Sequence, residues 1–382
     1  EPTLMYDADN AYLTLHSALV NAAEECNQFG VAINLDNIIN PDPEQSLLIS
    51  TIANLPLASA QDALESLSGF QYTNDVQVTN FSISRFLRRL YDPLRSLMTG
   101  CDNCSSRNTS CNGWTPWLET GYGSTKLKGS NAHNLNFNSF QLTGGIQKTF
   151  CHNFTFGLAS SYEYDNIKYR DGKANRNSIF AGIYGLYERS VFYGLFDFVY
   201  GYSTNRLKRK IEAGDLEYKA CSKPNFNLFT FYGETGFDIN TNCALIQPFV
   251  GIQTGKNWRG HINENQSNGW GLMINEYNWS TTSSRVGLHL YSCNLFDSVD
   301  TSLDIAWNQL LSSSNNSTVG RFRDFGEPFT IYGNRLDNCS VDYALTFTTC
   351  LCEGLQGYLE LDGENWKHAS TYNVLGGIKF FW

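Results

Sequence analysis

Cys101, Cys104 and Cys111 follow one another in a Cys-x2-Cys-x6-Cys spacing. Three thiolates can hold a structural zinc only with a fourth ligand, and none follows at a workable spacing. Disulfide chemistry in an oxidising compartment is the better reading for them. Cys151, Cys243, Cys293, Cys350 and Cys352 fall in short segments between apolar runs, and the total of eleven is odd, so at least one thiol is free or bonds another chain. These turn cysteines, Cys350 and Cys352 among them, are therefore candidate cross-links to neighbouring envelope proteins. His133, His261 and His368 stand in polar segments beside an Asp or Glu, where a His–carboxylate pair can act as a general base. Histidines scattered over loops are more often simply solvated. No Gly-x-Ser-x-Gly elbow, P-loop or dinucleotide fingerprint is present. The sequence thus points to no catalytic residue, no metal and no cofactor.

Charge carries more than chemistry here. Asn80–Met98 has helical spacing with Arg85, Arg88, Arg89 and Arg95 along a stripe. Asn80 and Ser82 are candidate caps, and Asp92-Pro93 a candidate kink. Downstream, carboxylates sit at alternating positions of apolar–polar runs: Glu119, Glu163, Asp165, Asp197, Glu234, Asp238, Asp304, Asp342, Glu360 and Asp362. On that same face the cations are few, namely Arg285 and Lys379. An acidic tube preceded by an Arg-rich helix is electrostatically self-complementary. The helix of roughly 19 residues would be about 28 Å long, close to one membrane thickness.

The elements that must position these charges are strands. In Phe154–Asp165 one face carries Phe154, Phe156, Leu158, Tyr162 and Tyr164, and the other Thr155, Gly157, Ala159, Ser161, Glu163 and Asp165. The last run, Tyr372–Trp382, alternates over about the length of a membrane-spanning strand. Twelve such runs are expected, near 113–124, 136–150, 154–166, 177–187, 191–203, 225–240, 244–258, 278–292, 299–311, 339–349, 354–362 and 369–382. Their polar faces suit a wet lumen, and their nearly charge-free opposite faces suit lipid. The connections alternate in length. Those at 125–135, 167–176, 204–224, 259–277, 312–338 and 363–368 read as outer loops, and the short ones as periplasmic turns. Lys148 falls on the lipid face at a strand end, where its ammonium can snorkel.

The 382 residues are enough for one large barrel and an accessory segment. Aromatic residues are 14% of the chain, as aromatic girdles require. Mean hydropathy is −0.32, and no apolar run is long enough for a transmembrane helix. The net charge of −10 argues against nucleic-acid binding. Glu1 is read as a processed start, after removal of a signal peptide. Before the barrel, Ala11–Phe29 has helical spacing, Asn40–Pro43 breaks it, Glu44–Ser68 gives two short helices, and Gly69 is a plausible C-cap.

Several stretches together resemble type V secretion autotransporters, whose C-terminal barrel is a translocator domain. They are Asn27-Gln28, Val31-Ala32, Leu35-Asp36, Ser59–Gly69 and Phe86–Leu90 before the barrel. Within it they are Arg285–Leu290, Leu303–Trp307, Phe325-Gly326, Phe329, Gly333, Leu361–Gly363, His368 and Gly376–Trp382. No single motif is specific, but their order and spacing are, from about residue 25 to the end. A passenger is essentially missing, and eleven cysteines are unusual for the family. The resemblance implies outer-membrane lipid as environment, an upstream passenger as cargo, and Ile378, Phe380 and Trp382 as the signal read by the barrel assembly machinery. In some relatives an Asn inside the lumen helix directs passenger cleavage; Asn80, at the start of the expected helix, argues against that here.

The expected fold is an all-β transmembrane, twelve-stranded antiparallel outer-membrane barrel with an α-helix in the lumen and a short helical N-terminal segment. Residues 1–75 form the pre-barrel segment, 76–112 the lumen helix and cysteine-containing linker, and 113–382 the barrel. The expected function is export and surface anchoring of a passenger, followed by plugging of the pore. A cation-preferring diffusion pore and a disulfide-linked envelope protein are the rival readings.

Overall fold

A computed structural model describes residues 2–6, 11–15, 18–98, 113–129, 134–150, 153–241, 244–266, 269–292 and 298–381. Twelve antiparallel strands form the wall. The first six are β1 Trp114–Leu127, β2 Leu135–Phe150, β3 Phe154–Tyr169, β4 Gly172–Arg189, β5 Phe192–Ala213 and β6 Asn225–Phe237. The rest are β7 Leu245–Arg259, β8 Tyr277–Ser292, β9 Val299–Ser313, β10 Cys339–Cys352, β11 Leu355–Trp366 and β12 Ala369–Phe380. Each pairs with the next, and β12 pairs with β1 with Ile378 opposite Leu118, so the sheet closes and no wall strand keeps a free edge.

The alternation that marks these strands changes sense along the barrel, and that determines the architecture. Through the middle, outward residues such as Leu142, Leu158, Ile179 and Val250 are exposed and apolar, as lipid requires. Towards the long-loop end the pattern inverts. Leu127, Phe137, Ile167, Ala174, Leu207 and Ile211 are buried, pointing inward, while the outward positions become Lys and Asn. This inversion explains a difference from the sequence expectation. Residues 167–176 and 204–224, expected as loops because lipid-facing apolarity stops there, are mostly strand: β3 and β4 meet with Tyr169 opposite Gly172, and β5 runs on to Ala213.

The inverted rim makes a core with the pre-barrel helices α1 Cys26–Asp36, α2 Pro43–Asn54 and α3 Leu57–Ser68. A small four-stranded sheet from the loops (Ile262–Asn263, Leu272–Ile274, Ser317–Phe322 and Phe329–Tyr332) completes this cap. Trp270 is fully buried in it, edge-on to Phe322 and Phe325. Two asparagines of α1 satisfy backbone groups of the loops: Asn27 exchanges hydrogen bonds with Tyr332 N and O (2.8 and 3.0 Å), and Asn34 Oδ1 accepts from Glu327 N (2.6 Å). The two short helices fall where expected, and Asp42 caps α2 by accepting from Gln45 N at 2.8 Å. The expected helix over Ala11–Phe29 does not form. A short strand occupies Ala11–Leu15, a 3-10 turn Leu19–Asn21, and α1 starts only at Cys26. Leu19 and Val20 amides donate to the Asp36 carboxylate at 3.1 and 3.0 Å, so this segment is tied to the C-terminal end of α1 rather than helical itself.

Gly69, with φ +75°, ends α3 in the left-handed region, and after Phe70 the chain re-enters helix at once. The resulting α4, Gln71–Met98, has 28 residues and is about 42 Å long. It starts nine residues before the expected Asn80. Asn80 and Ser82 are therefore not caps: Ser82 donates to Val78 O inside the helix (3.0 Å), and Asn80 lies within it, so the positional argument against Asn80 in cleavage falls. The α4 span continues through Asp92-Pro93 as one helix.

The charged lumen as candidate functional site

α4 carries its basic stripe against the acidic wall. Arg85 Nη2 donates to Glu163 Oε1 at 2.6 Å and to Ser139 at 2.9 Å, with Asp165 at 3.4 Å. Arg88 donates to Asp342 Oδ2 (3.1 Å) and to Tyr343 O (3.2 Å). Arg89 is the most engaged: Glu360 at 2.7 Å, Asp362 at 2.8 Å and Glu119 at 3.6 Å. Arg285, from the wall, completes the set through Asp342 (2.7 Å) and the Tyr91 hydroxyl (2.9 Å). These side chains are all buried, so each ion has given up water for a partner. Such pairs add little net stability, but losing one partner is expensive, which fixes the helix in rotation and height.

Apolar contacts seat the same turns. Phe86 stacks on Phe180 with ring centres 5.4 Å apart, and Tyr91 packs on Tyr232. Gly182 sits where a Cβ would come within 2.9 Å of Leu90, so its lack of side chain lets helix and wall approach. On one side the fit is looser. A cavity of about 290 Å3 runs between α4 and the wall, bordered by Asn80, Leu87, Gln253, Thr281 and Ser283, among others.

Towards the cap the signs reverse. Arg176, Arg209 and Arg259 point inward from the wall, and sequence reasoning missed them: the lumen's cations are not confined to Arg285 and Lys379. They bond the main chain of α3 and α4, through Ser66 O to Arg209 (2.7 Å), Tyr72 O to Arg259 (2.9 Å) and Asp75 O to Arg176 (3.2 Å). Asp75, on α4, accepts from Tyr169 (2.8 Å) and Asn205 (2.7 Å). Arg209 also pairs with Glu264 (2.6 Å), whose carboxylate accepts from the Tyr72 hydroxyl and the Leu272 amide, both at 2.7 Å. Alternation alone placed these arginines inward; they were passed over because their segments were read as loops.

Of the expected acidic wall, Glu119, Glu163, Asp165, Asp342 and Glu360 meet Arg85, Arg88 or Arg89. Asp197 is fully buried in the wall. Glu234 accepts from Tyr193 (2.9 Å), and Asp304 pairs with His289 Nδ1. His289, fully buried and stacked on Phe249 with ring centres 4.2 Å apart, was not singled out, although the alternation of Arg285–Leu290 turns it inward. The side chain of Arg95 lies outside the described residues, as do Cys101, Cys104, Cys111, His133 and Trp382. Ile378 and Phe380 face outward at the end of β12. Among the described residues, Cys26, Cys221, Cys339 and Cys352 form no disulfide within the chain, and Cys352 is exposed. His261 is exposed, and His368 bonds Asp337 (2.7 Å) at the surface. Lys148 lies against the Trp114 and Phe150 rings (5.2 and 5.4 Å) near the end of β2, the girdle position expected of it. Among the described residues no group of His, Cys, Asp and Glu is arranged to hold a metal.

The sequence matches the family model described as the Autotransporter beta-domain over residues 116–362. No curated protein matches the chain. Among solved structures, the chain is similar to the translocator domain of the autotransporter NalP from Neisseria meningitidis: 16% identity, 81% of this chain and 98% of that one, TM-score 0.64. It is also similar to the β domain of the Bordetella autotransporter BrkA: 16% identity, 70% and 99% covered, TM-score 0.52. At these identities the solved structures speak for the fold, and the family match, covering more than half of the chain, settles membership: this chain belongs to the autotransporter β-domain family.

Proposed function

We propose that the barrel exports a passenger joined upstream of α1 and is then closed by α4. Family membership makes it a translocator-type barrel of the Gram-negative outer membrane. The observation that carries the closing step is the seating of Arg85, Arg88 and Arg89 in buried carboxylate pairs. A helix in transit needs weak, exchangeable contacts, whereas one held by several desolvated ion pairs has reached its resting position. The outward strip ending in Ile378 and Phe380 is our candidate for the signal read by the assembly machinery, with Trp382 after it. Cys101, Cys104 and Cys111 remain candidate disulfide formers, and no covalent catalysis is assigned to any residue.

A reporter domain joined ahead of Glu1 tests the export step. On intact cells it is expected to be cut by added protease when the barrel is complete and to stay protected when β12 is deleted. Equal protection in both would overturn the reading.

A further inference from the structure

We propose that the extracellular ends of β1–β5 form a binding strip for phosphorylated lipid headgroups of the outer leaflet. The residues come together through register. Lys168 on β3 lies directly opposite Lys173 on β4, which lies directly opposite Lys208 on β5. The same row continues the other way through Asn136 on β2 to Lys126 on β1. All five side chains are exposed on the outside of the wall, and Arg206, two residues below Lys208, is exposed beside them. Among the described residues none of these cations has a carboxylate partner.

Three lysines side by side across a sheet are unfavourable. Directly opposed residues have Cβ atoms about 5 Å apart, and like charges there repel. A chain of net charge −10 could have spread these charges instead. The far side of the barrel does spread them: the outward face of β7–β12 carries Lys256, paired through Phe229 to the level of Tyr200, with Lys367 just beyond β11. A partner that offsets the repulsion must carry several negative charges spread over about 10 Å, the width of two strand spacings.

Position names the partner. Four residues below Lys126 and Lys168 lie the outward Tyr122 and Tyr164, and Tyr162, Tyr200 and Tyr202 follow. Outward aromatics of this kind mark the membrane interface. The row thus stands one step outside the acyl region, at the depth of lipid headgroups, where a lipid with two phosphates meets the lysines edge-on. A soluble polyanion has no reason to be held at that depth on the lipid side of the wall.

The test compares the full chain with a Lys168→Gln, Lys173→Gln, Lys208→Gln variant in neutral detergent, after both are shown to be folded by heat-modifiable gel mobility. A Lys256→Gln, Lys367→Gln variant controls for net charge. Bisphosphorylated lipid A is the ligand, its dephosphorylated form the lipid control, and inorganic phosphate the competitor. The expected result is binding of bisphosphorylated lipid A that weakens at least tenfold in the triple variant alone, is absent for the dephosphorylated lipid, and withstands millimolar phosphate. Equal binding by wild type and triple variant, or equal binding of both lipids, would overturn the proposal. Displacement by inorganic phosphate would reassign the strip to free anions and overturn it as a lipid site.

Discussion

Glu65 is a carboxyl group buried in the cap. It is fully buried in α3, with the Asn27 amide 3.2 Å from Oε1, and burial pushes its pKa from 4.5 up to about 8. Below pH 4.5 the folded and unfolded cap are both protonated here and the group is neutral to stability. As pH rises from 4.5 to about 8 the unfolded chain releases a proton that the folded one retains, so cap stability falls across that window and is lowest above it. The loss is on the order of a few kcal/mol. Glu65→Gln removes the ionisable group and keeps the amide contact. Hydrogen exchange of α1 and α3, corrected for intrinsic rates, is expected to lose protection from pH 5 to pH 8 in the wild type and stay nearly flat in Glu65→Gln. In the lumen, Arg89→Met leaves Glu119, Glu360 and Asp362 facing each other without their shared cation. A cost of roughly 3–5 kcal/mol is expected, read as α4 amide protection reduced by about two orders of magnitude. Unchanged protection would mean that the pair does not seat the helix. The arginines and most of these acids were legible from spacing alone, because lumen charge follows from period two. Their pairing was not, since it depends on rotation and height of a helix that no local pattern sets.

At the scale of elements, the hinge between α3 and α4 is Gly69. Its φ of +75° is costly for a residue with a Cβ, and that Cβ would lie 2.5 Å from Leu272 Cδ1. Gly69→Ala is expected to destabilise the cap by about 1–2 kcal/mol from the backbone alone. Thermal scans by hydrogen exchange should show it in Leu272–Ile274 and the start of α4, with the mid-barrel strands unaffected. Strand loss in the barrel itself would contradict this separation. The glycine was legible as a C-cap. The onset of α4 was not: Gln71–Thr79 is rich in Thr and Asn, which are weak helix formers, and it is helical because Asp75, Thr79 and the main-chain carbonyls meet wall arginines and amides. Tertiary contacts supply there what propensity does not. The strand extensions of β4 and β5 were missed for a related reason. Their outward face turns polar where lipid ends, and a reader of lipid-facing apolarity stops with it.

For the whole molecule, wall, cap and α4 divide one task. The wall is closed by the β12–β1 ladder and faces lipid with its apolar stripe. The cap buries the inverted rim under α1–α3, and α4 runs from it down the lumen, acidic wall against basic helix below and basic wall against helix carbonyls above. Strand number, closure and the presence of a lumen helix were readable because the bilayer imposes length and alternation on every strand. The cap was not, because its core is assembled from helices, loops and strand ends far apart in sequence. Closure of the pore by α4 is most directly measured as single-channel conductance of the refolded full chain against the chain lacking residues 1–98, both confirmed as folded barrels. The full chain is expected to pass only a small residual current along the cavity beside α4, and the truncated chain to conduct steadily at a severalfold higher level. Equal conductance of the two would contradict the account, because the helix would then not be what closes the pore.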